Sequence, residues 1–210
     1  MKIFVVAMNY GGHNKVADSA LYNGGIMSPD GGDPVIFTKV DSALLKDHKP
    51  FFVPDDMGRI DCEASLVVRI CRLGKAIPER FAHRYYDAVT VGVDFTAGEM
   101  LEEARRQGLP WTLCKGFDGS AVIGDWVPLE QPVSTLDFRL EQDETVVQQG
   151  LASDMRFSID ELIAYLSRFF TLKTGDLIFT GTPTDALPVA VGHHLQGYIG
   201  QRKVLDFYCR

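Results

Sequence analysis

Two stretches, Glu63 to Leu73 and Val89 to Phe95, are crowded with Val and Ile without a clean polar alternation, the pattern of strands buried on both faces. Such strands oblige the fold to cover both sides of a sheet. Each nevertheless carries a carboxylate, Glu63 and Asp94, and Lys115 lies among Trp111, Leu113 and Phe117. Charges among apolar neighbours are costly unless paired or bound to a cation, so these three groups point to a site.

The rest of the chain reads as mostly β with short helices, an α+β arrangement. Ile3 to Met8 is a short buried strand, and Leu136 to Glu141 alternates as a half-buried strand that Asp143-Glu144 turns back through Val146 and Val147. Leu195 to Ile199 and Lys203 to Tyr208 form a second hairpin. Helices are expected over Ile77 to Tyr86, over Gly98 to Gln107 with Gly108 and Pro110 as the stop, and over Leu162 to Phe170 behind the capping box Ser158-Ile-Asp-Glu161. The segment 9–34, rich in Gly, Asn and Asp, reads as a long loop with one short helix, of the kind that is either functional or mobile. No linker interrupts residues 1–210, so a single domain is expected.

Composition narrows the partners. A net charge of −7 with no Lys/Arg run argues against a nucleic-acid surface. No stretch approaches the roughly 20 apolar residues of a membrane span. Four cysteines without a C-x-x-C pair fit a reducing compartment, and the apolar run Ile3 to Met8 is too short for a signal peptide. A cytoplasmic protein is expected. His193-His194 reads as a solvated turn, because adjacent strand residues face opposite sides and make poor co-ligands.

Five motifs occur in order: Asp61-Cys-Glu-Ala-Ser-Leu-Val-Val-Arg69, the Val-Asp-Phe-Thr-Ala around Asp94, Gly108-Leu-Pro-Trp-Thr-Leu-Cys-Lys-Gly-Phe-Asp118, Ser153-Asp-Met-Arg-Phe-Ser158 and Gly175-Asp-Leu-Ile-Phe-Thr-Gly-Thr-Pro183. Together they resemble the fumarylacetoacetate hydrolase family over nearly the whole chain. The resemblance implies a rolled mixed β-sheet, a homodimer, a small keto-acid substrate, and a Mg²⁺, Mn²⁺ or Ca²⁺ ion beside an enolate. It matches Glu63 and Asp94 to metal ligands, with Ser65 where a second Glu is expected. Asp61, Glu63 and Ser65 share one strand face, so Asp61 is a further candidate ligand through a water.

The resemblance also matches the segment 9–34 to a mobile lid, Asn9, Tyr10 and His13 within it to a substrate-binding and water-activating segment, Lys115 to a catalytic and substrate-holding amine, and Thr182 to a hydroxyl or backbone donor in the site. Five positions depart from the family pattern: Met8 in place of Arg, Val16 in place of the Glu that partners the His, Ser65, Gly98 in place of Arg, and Leu101 in place of Gln. Two readings follow. One is an enzyme that hydrolyses, decarboxylates or isomerises a β-dicarbonyl or α-keto acid; the other is an impaired relative that binds a small ligand or partner.

Overall fold

The computed structural model describes residues 1–11 and 32–210. Most of the 9–34 segment expected as a lid, with His13 and Val16, lies outside the described residues. The larger sheet is built from β1 (Ile3–Ala7), β2 (Val35–Lys39), β3 (Leu44–Leu45), β4 (Ile60–Ile70), β5 (Tyr86–Ala97), β6 (Ala121–Ile123) and β7 (Val127–Pro128). The smaller sheet uses β8 (Asp137–Gln142) and β9 (Thr145–Leu151); β10 (Leu177–Phe179) and β11 (Leu187–Val189) return to the first, and β12 (His194–Ile199) and β13 (Arg202–Tyr208) complete the second. The order is β2-β1-β10-β4-β5-β6-β3, with β11 on β4 and β7 on β5, against an antiparallel β13-β12-β8-β9. β1 to β10 and β3 to β6 are parallel pairs, so the sheet is mixed.

The spine is the long antiparallel ladder between β4 and β5, registered Glu63 to Asp94 and Ser65 to Gly92. Alternation divides it into two faces. Cys62, Ala64, Leu66, Val68 and Ile70 join Val91, Val93 and Phe95 in the main core, under the second sheet and the helix Ile159–Phe169. On the opposite face Val67 packs with Ile3, Val5, Ala121 and Phe179 in a smaller cluster. Gly92 makes this possible, because a Cβ there would lie 2.6 Å from both Phe179 and Val67.

Local signals held where they were strong. Helix α1 (Gly98–Gln107) ends at Gly108 in the left-handed region with φ 68°, the usual glycine stop. A short turn of helix, α2 (Thr112–Lys115), carries the lysine, and α3 (Ile159–Phe169) opens on the full Ser158–Glu161 capping box. The β8–β9 hairpin turns on Asp143 and Glu144, both at positive φ, as a two-residue loop between twisted strands requires.

Three expectations shift. The first long strand ends at Ile70 rather than Leu73, and the helix expected over Ile77 to Tyr86 is a 3₁₀ segment, Glu79–Arg84. The histidine doublet divides: His193 closes a turn, its N donating to Ala190 O at 3.2 Å, whereas His194 begins β12, is half-buried, pairs with Asp206 at 2.6 Å and stacks on Tyr208 at 4.2 Å. Among the described residues no helix is long and apolar enough to cross a membrane.

Candidate active site

A gap in the sheet creates the site. β10 pairs with β4 at Val67 to Arg69 and β11 pairs with it at Ile60 to Cys62. Between them residues 180–186 bow away from β4, and the polar backbone left along that edge is met by other groups. Thr180 N and its hydroxyl both donate to Leu66 O, at 3.0 and 2.9 Å. The buried Gln148 side chain reaches across from β9, accepting from Ala64 N at 2.6 Å and donating to Asp185 O at 2.8 Å. Ser65 Oγ lies 2.9 Å from both Gly181 N and Gly181 O. The bow is therefore fixed, and it opens a cavity of about 550 Å³ over the second face of the ladder.

Asp61, Glu63, Asp94, Thr96 and Lys115 line this cavity, and Thr182 faces them from the bow. Lys115 Nζ is 3.0 Å from Glu63 Oε2 and 3.0 Å from Asp94 Oδ2, and only 7 % of its side chain is exposed. Burial lowers the pKa of an ammonium, but here the Asp94 and Glu63 charges outweigh it and hold Lys115 above the ordinary lysine value. The two carboxylates thus favour its protonated form. The Thr96 and Thr182 hydroxyls are buried and, among the described residues, have no hydrogen-bond partner. An orphaned buried hydroxyl facing a cavity is a group that a ligand can satisfy.

Beneath Lys115 lies a second cation that the sequence did not disclose. Lys39, the last residue of β2, pairs with Asp94 Oδ1 at 2.6 Å and donates to Phe95 O, Ser120 O and Lys115 O. Its side chain is fully buried. Burial pulls its pKa down to about 8 against the opposing pull of Asp94. It holds Asp94 from behind and ties the backbone of α2 to β5. A lysine ending the strand Val-Ile-Phe-Thr-Lys carries no sequence mark of this role.

The carboxylate row differs from the one expected. Ser65 lines the cavity wall, with its hydroxyl tied to the Gly181 backbone of the bow. Asp61 supplies the third carboxylate on the wall, held by Arg59 through Nε to Oδ1 at 2.9 Å and through a terminal nitrogen to Oδ2 at 3.0 Å. Arg59 also reaches Glu102 at 2.8 Å. Neither Asn9 nor Tyr10 is brought to the cavity. Asn9 Nδ2 donates to Phe157 O and Thr180 O while its Oδ1 accepts from Phe157 N, and Tyr10 is core, edge-on to Phe138. These two residues clamp the Ser153–Ser158 motif onto the bow. Met8 lines the wall at φ 56°, a bend that turns the chain out of β1. Gly98 and Leu101 line it too.

A profile described as the C-terminal part of fumarylacetoacetate hydrolase matches residues 2–203. The chain belongs to the fumarylacetoacetate hydrolase family. An uncharacterised protein of Pyrococcus abyssi is 36 % identical over 98 % of this chain and 88 % of its own length. The mitochondrial oxaloacetate tautomerase of Mus musculus is 33 % identical over 94 % of this chain and 86 % of its own. Among solved structures, the fumarylpyruvate hydrolase of Pseudomonas aeruginosa in complex with Mn²⁺ and pyruvate superposes with a TM-score of 0.86 at 29 % identity, covering 100 % of this chain and 88 % of that one. The rolled mixed sheet expected from the motifs is thus the fold observed, and the two relatives with a stated activity are a tautomerase and a hydrolase.

Proposed function

We propose that the chain is an enzyme acting on an α-keto or β-dicarbonyl acid through an enolate, with keto–enol isomerisation as the reaction its cavity suits best. The observation that carries this is Lys115: a buried ammonium, kept protonated, on the cavity wall between two carboxylates. Enolate formation moves negative charge onto the substrate oxygen. A preorganised cation in a sheltered cavity stabilises that charge more than it stabilises the neutral ketone. The Thr182 hydroxyl faces the same cavity with its hydrogen-bonding capacity unspent. Hydrolysis needs an activated water as well, and Val16 stands where the family carries the Glu that partners its His. Isomerisation asks less of this chain, in keeping with its likeness to the oxaloacetate tautomerases.

The donor set fits a hard divalent ion. Glu63 and Asp94 face each other across the ladder and Asp61 lies two residues along the same wall, an all-oxygen set of the kind Mg²⁺ and Mn²⁺ take together with water. Among the described residues no three such groups converge into a ready cage, because Lys115 lies between Glu63 and Asp94 and Arg59 holds Asp61. Asp61, Glu63 and Asp94 would hold the ion, which would add Lewis-acid stabilisation of the enolate oxygen. The Mn²⁺ in the Pseudomonas aeruginosa neighbour supports this reading. The proposal includes a homodimer, checked by light scattering.

The test is the decay of enol-oxaloacetate absorbance with Mg²⁺ present. Lys115→Met is expected to lower the catalysed rate by about 10²–10³, the scale of removing one electrostatic stabiliser, while Lys115→Arg, melting at the wild-type temperature, recovers part of it. A Lys115→Met protein that keeps the wild-type rate sinks the proposal. The second reading, a ligand-binding relative without turnover, draws on Met8, Gly98 and Leu101, which bring no polar side chain to the cavity. Its mark is pyruvate binding with no catalysed tautomerisation.

A further inference from the structure

The mouth of the cavity holds two guanidinium groups that the enolate reading does not use. Arg59 precedes β4, and its guanidinium lies beside the backbone of α1, between Asp61 on the inside and Glu102 on the solvent side. Arg105, on α1 one turn beyond Glu102, lines the same mouth with its guanidinium 5.3 Å over the Trp111 ring. Arg59 is seated there because residue 98 has no side chain. A Cβ on Gly98 would lie 2.1 Å from Asp61 Oδ2 and 2.7 Å from the Arg59 terminal nitrogen. The slot, the ion pair and the glycine are one device. Gly98 N also donates to Arg59 O at 2.8 Å, fixing the two backbones together.

Electrostatic bookkeeping separates this mouth from the floor. Lys115 and Lys39 neutralise Glu63 and Asp94 below, and Arg59 neutralises Asp61 above. Glu102 is 66 % exposed and free to turn into solvent, whereas Asp61 is only 11 % exposed. A planar guanidinium matches a carboxylate through paired N–H donors, which a lysine does not reproduce. The mouth can therefore exchange the Glu102 carboxylate for one brought by a ligand.

We propose that Arg59, seated in the Gly98 slot and assisted by Arg105, receives a second carboxylate of the substrate and makes the cavity selective for keto dicarboxylates over keto monocarboxylates. This rests on the enolate reading, since it presumes that the keto-acid end of the same molecule lies at Lys115. Arg59 is a specificity determinant here, acting on the far end of the substrate. Were it only the counter-ion of Asp61, its loss would alter mono- and dicarboxylate binding alike.

Calorimetric titration at fixed, saturating Mn²⁺ provides the test, with 2-oxobutanoate as monocarboxylate and the four-, five- and six-carbon α-keto dicarboxylates as probes. Wild type is expected to bind at least one dicarboxylate tenfold or more tightly than 2-oxobutanoate, a preference worth about 1.4 kcal/mol. Arg59→Gln is expected to abolish that ratio with 2-oxobutanoate affinity within about threefold of wild type, and Arg59→Lys to retain part of it. Gly98→Ala, whose Cβ would crowd Asp61 as well as Arg59, should also abolish the ratio, with 2-oxobutanoate affinity falling in addition. A wild type without the dicarboxylate preference overturns the inference, as does a ratio that survives Arg59→Gln. If 2-oxobutanoate still binds in those cases, the enolate reading stands; if no keto acid binds, both fall.

Discussion

The β4–β5 ladder presents the same backbone to two very different surroundings. Its even-numbered β4 face, Cys62 to Ile70, is dry core, closed by a second sheet and a capped helix. Its odd-numbered face begins with Asp61, Glu63 and Ser65 and only then becomes apolar at Val67. Area burial alone stabilises the first face. On the second, each buried charge must meet an opposite charge or a cage of backbone carbonyls, because an unpaired buried ion is unfavourable by several kcal/mol. Packing on one face tolerates many sequences; charge balance on the other tolerates few.

The sharpest way to break this contrast is Lys39→Met. It would leave Asp94 Oδ1 and three carbonyls without their cation, and a loss of about 3–5 kcal/mol is expected from chemical denaturation, the scale for removing one partner of a buried pair. Less than 1 kcal/mol would show that the polar face contributes little to folding. Leu66→Ala, on the dry face at the same depth, is expected to cost about 3 kcal/mol, with the affinity for Mn²⁺ unchanged by calorimetry. That separates the two faces by function as well as by stability.

Mn²⁺ at a hundredfold its Kd should stabilise the wild type by about 2.7 kcal/mol, read as a rise in melting temperature that Asp94→Asn removes. An identical rise in Asp94→Asn would place the ion elsewhere. Ser65→Ala removes a tie to the bow and is expected to cost about 1 kcal/mol while leaving Mn²⁺ affinity unchanged; a loss of affinity would make Ser65 a ligand after all.

The smallest effect lies on the second sheet. Burial would raise the pKa of Asp206, but hydrogen bonds from His194, Lys203 and Gln196 bring it down to about 2, from 3.8. A carboxyl whose folded pKa is depressed stabilises the fold above its unfolded pKa and ceases to do so as pH falls through the folded one. Since the side chain is a third exposed, a loss of about 1 kcal/mol between pH 4 and pH 2 is expected after solvent screening. Asp206→Asn should flatten that part of the stability curve.

How much was legible follows the same division. The Val- and Ile-rich runs, the Ser158–Glu161 box, the Asp143-Glu144 turn and the Gly108 stop are local signals, and each appears where local physics places it. Glu63, Asp94, Lys115 and Thr182 were legible as charges or hydroxyls within distinctive motifs, and the structure gathers all four at one cavity. Asn9 and Tyr10 were legible only as part of their own motif, and they serve to clamp another, Ser153–Ser158, to the bow. Lys39 and Arg59 gave no signal, because a lysine or arginine at the end of a strand is ordinarily solvated.

By itself the sequence determined the strands, their caps and turns, and the presence of charges that need partners, since these depend on residues within a few positions of one another. Only the tertiary structure decided which partners they take. The gap between β10 and β11 exposes the carboxylates, the bow claims Ser65, β2 brings Lys39 beneath Asp94, and Gly98 leaves room for Arg59. Each of these depends on a contact between segments distant in the chain, and a single strand's periodicity carries no record of what will be packed against it.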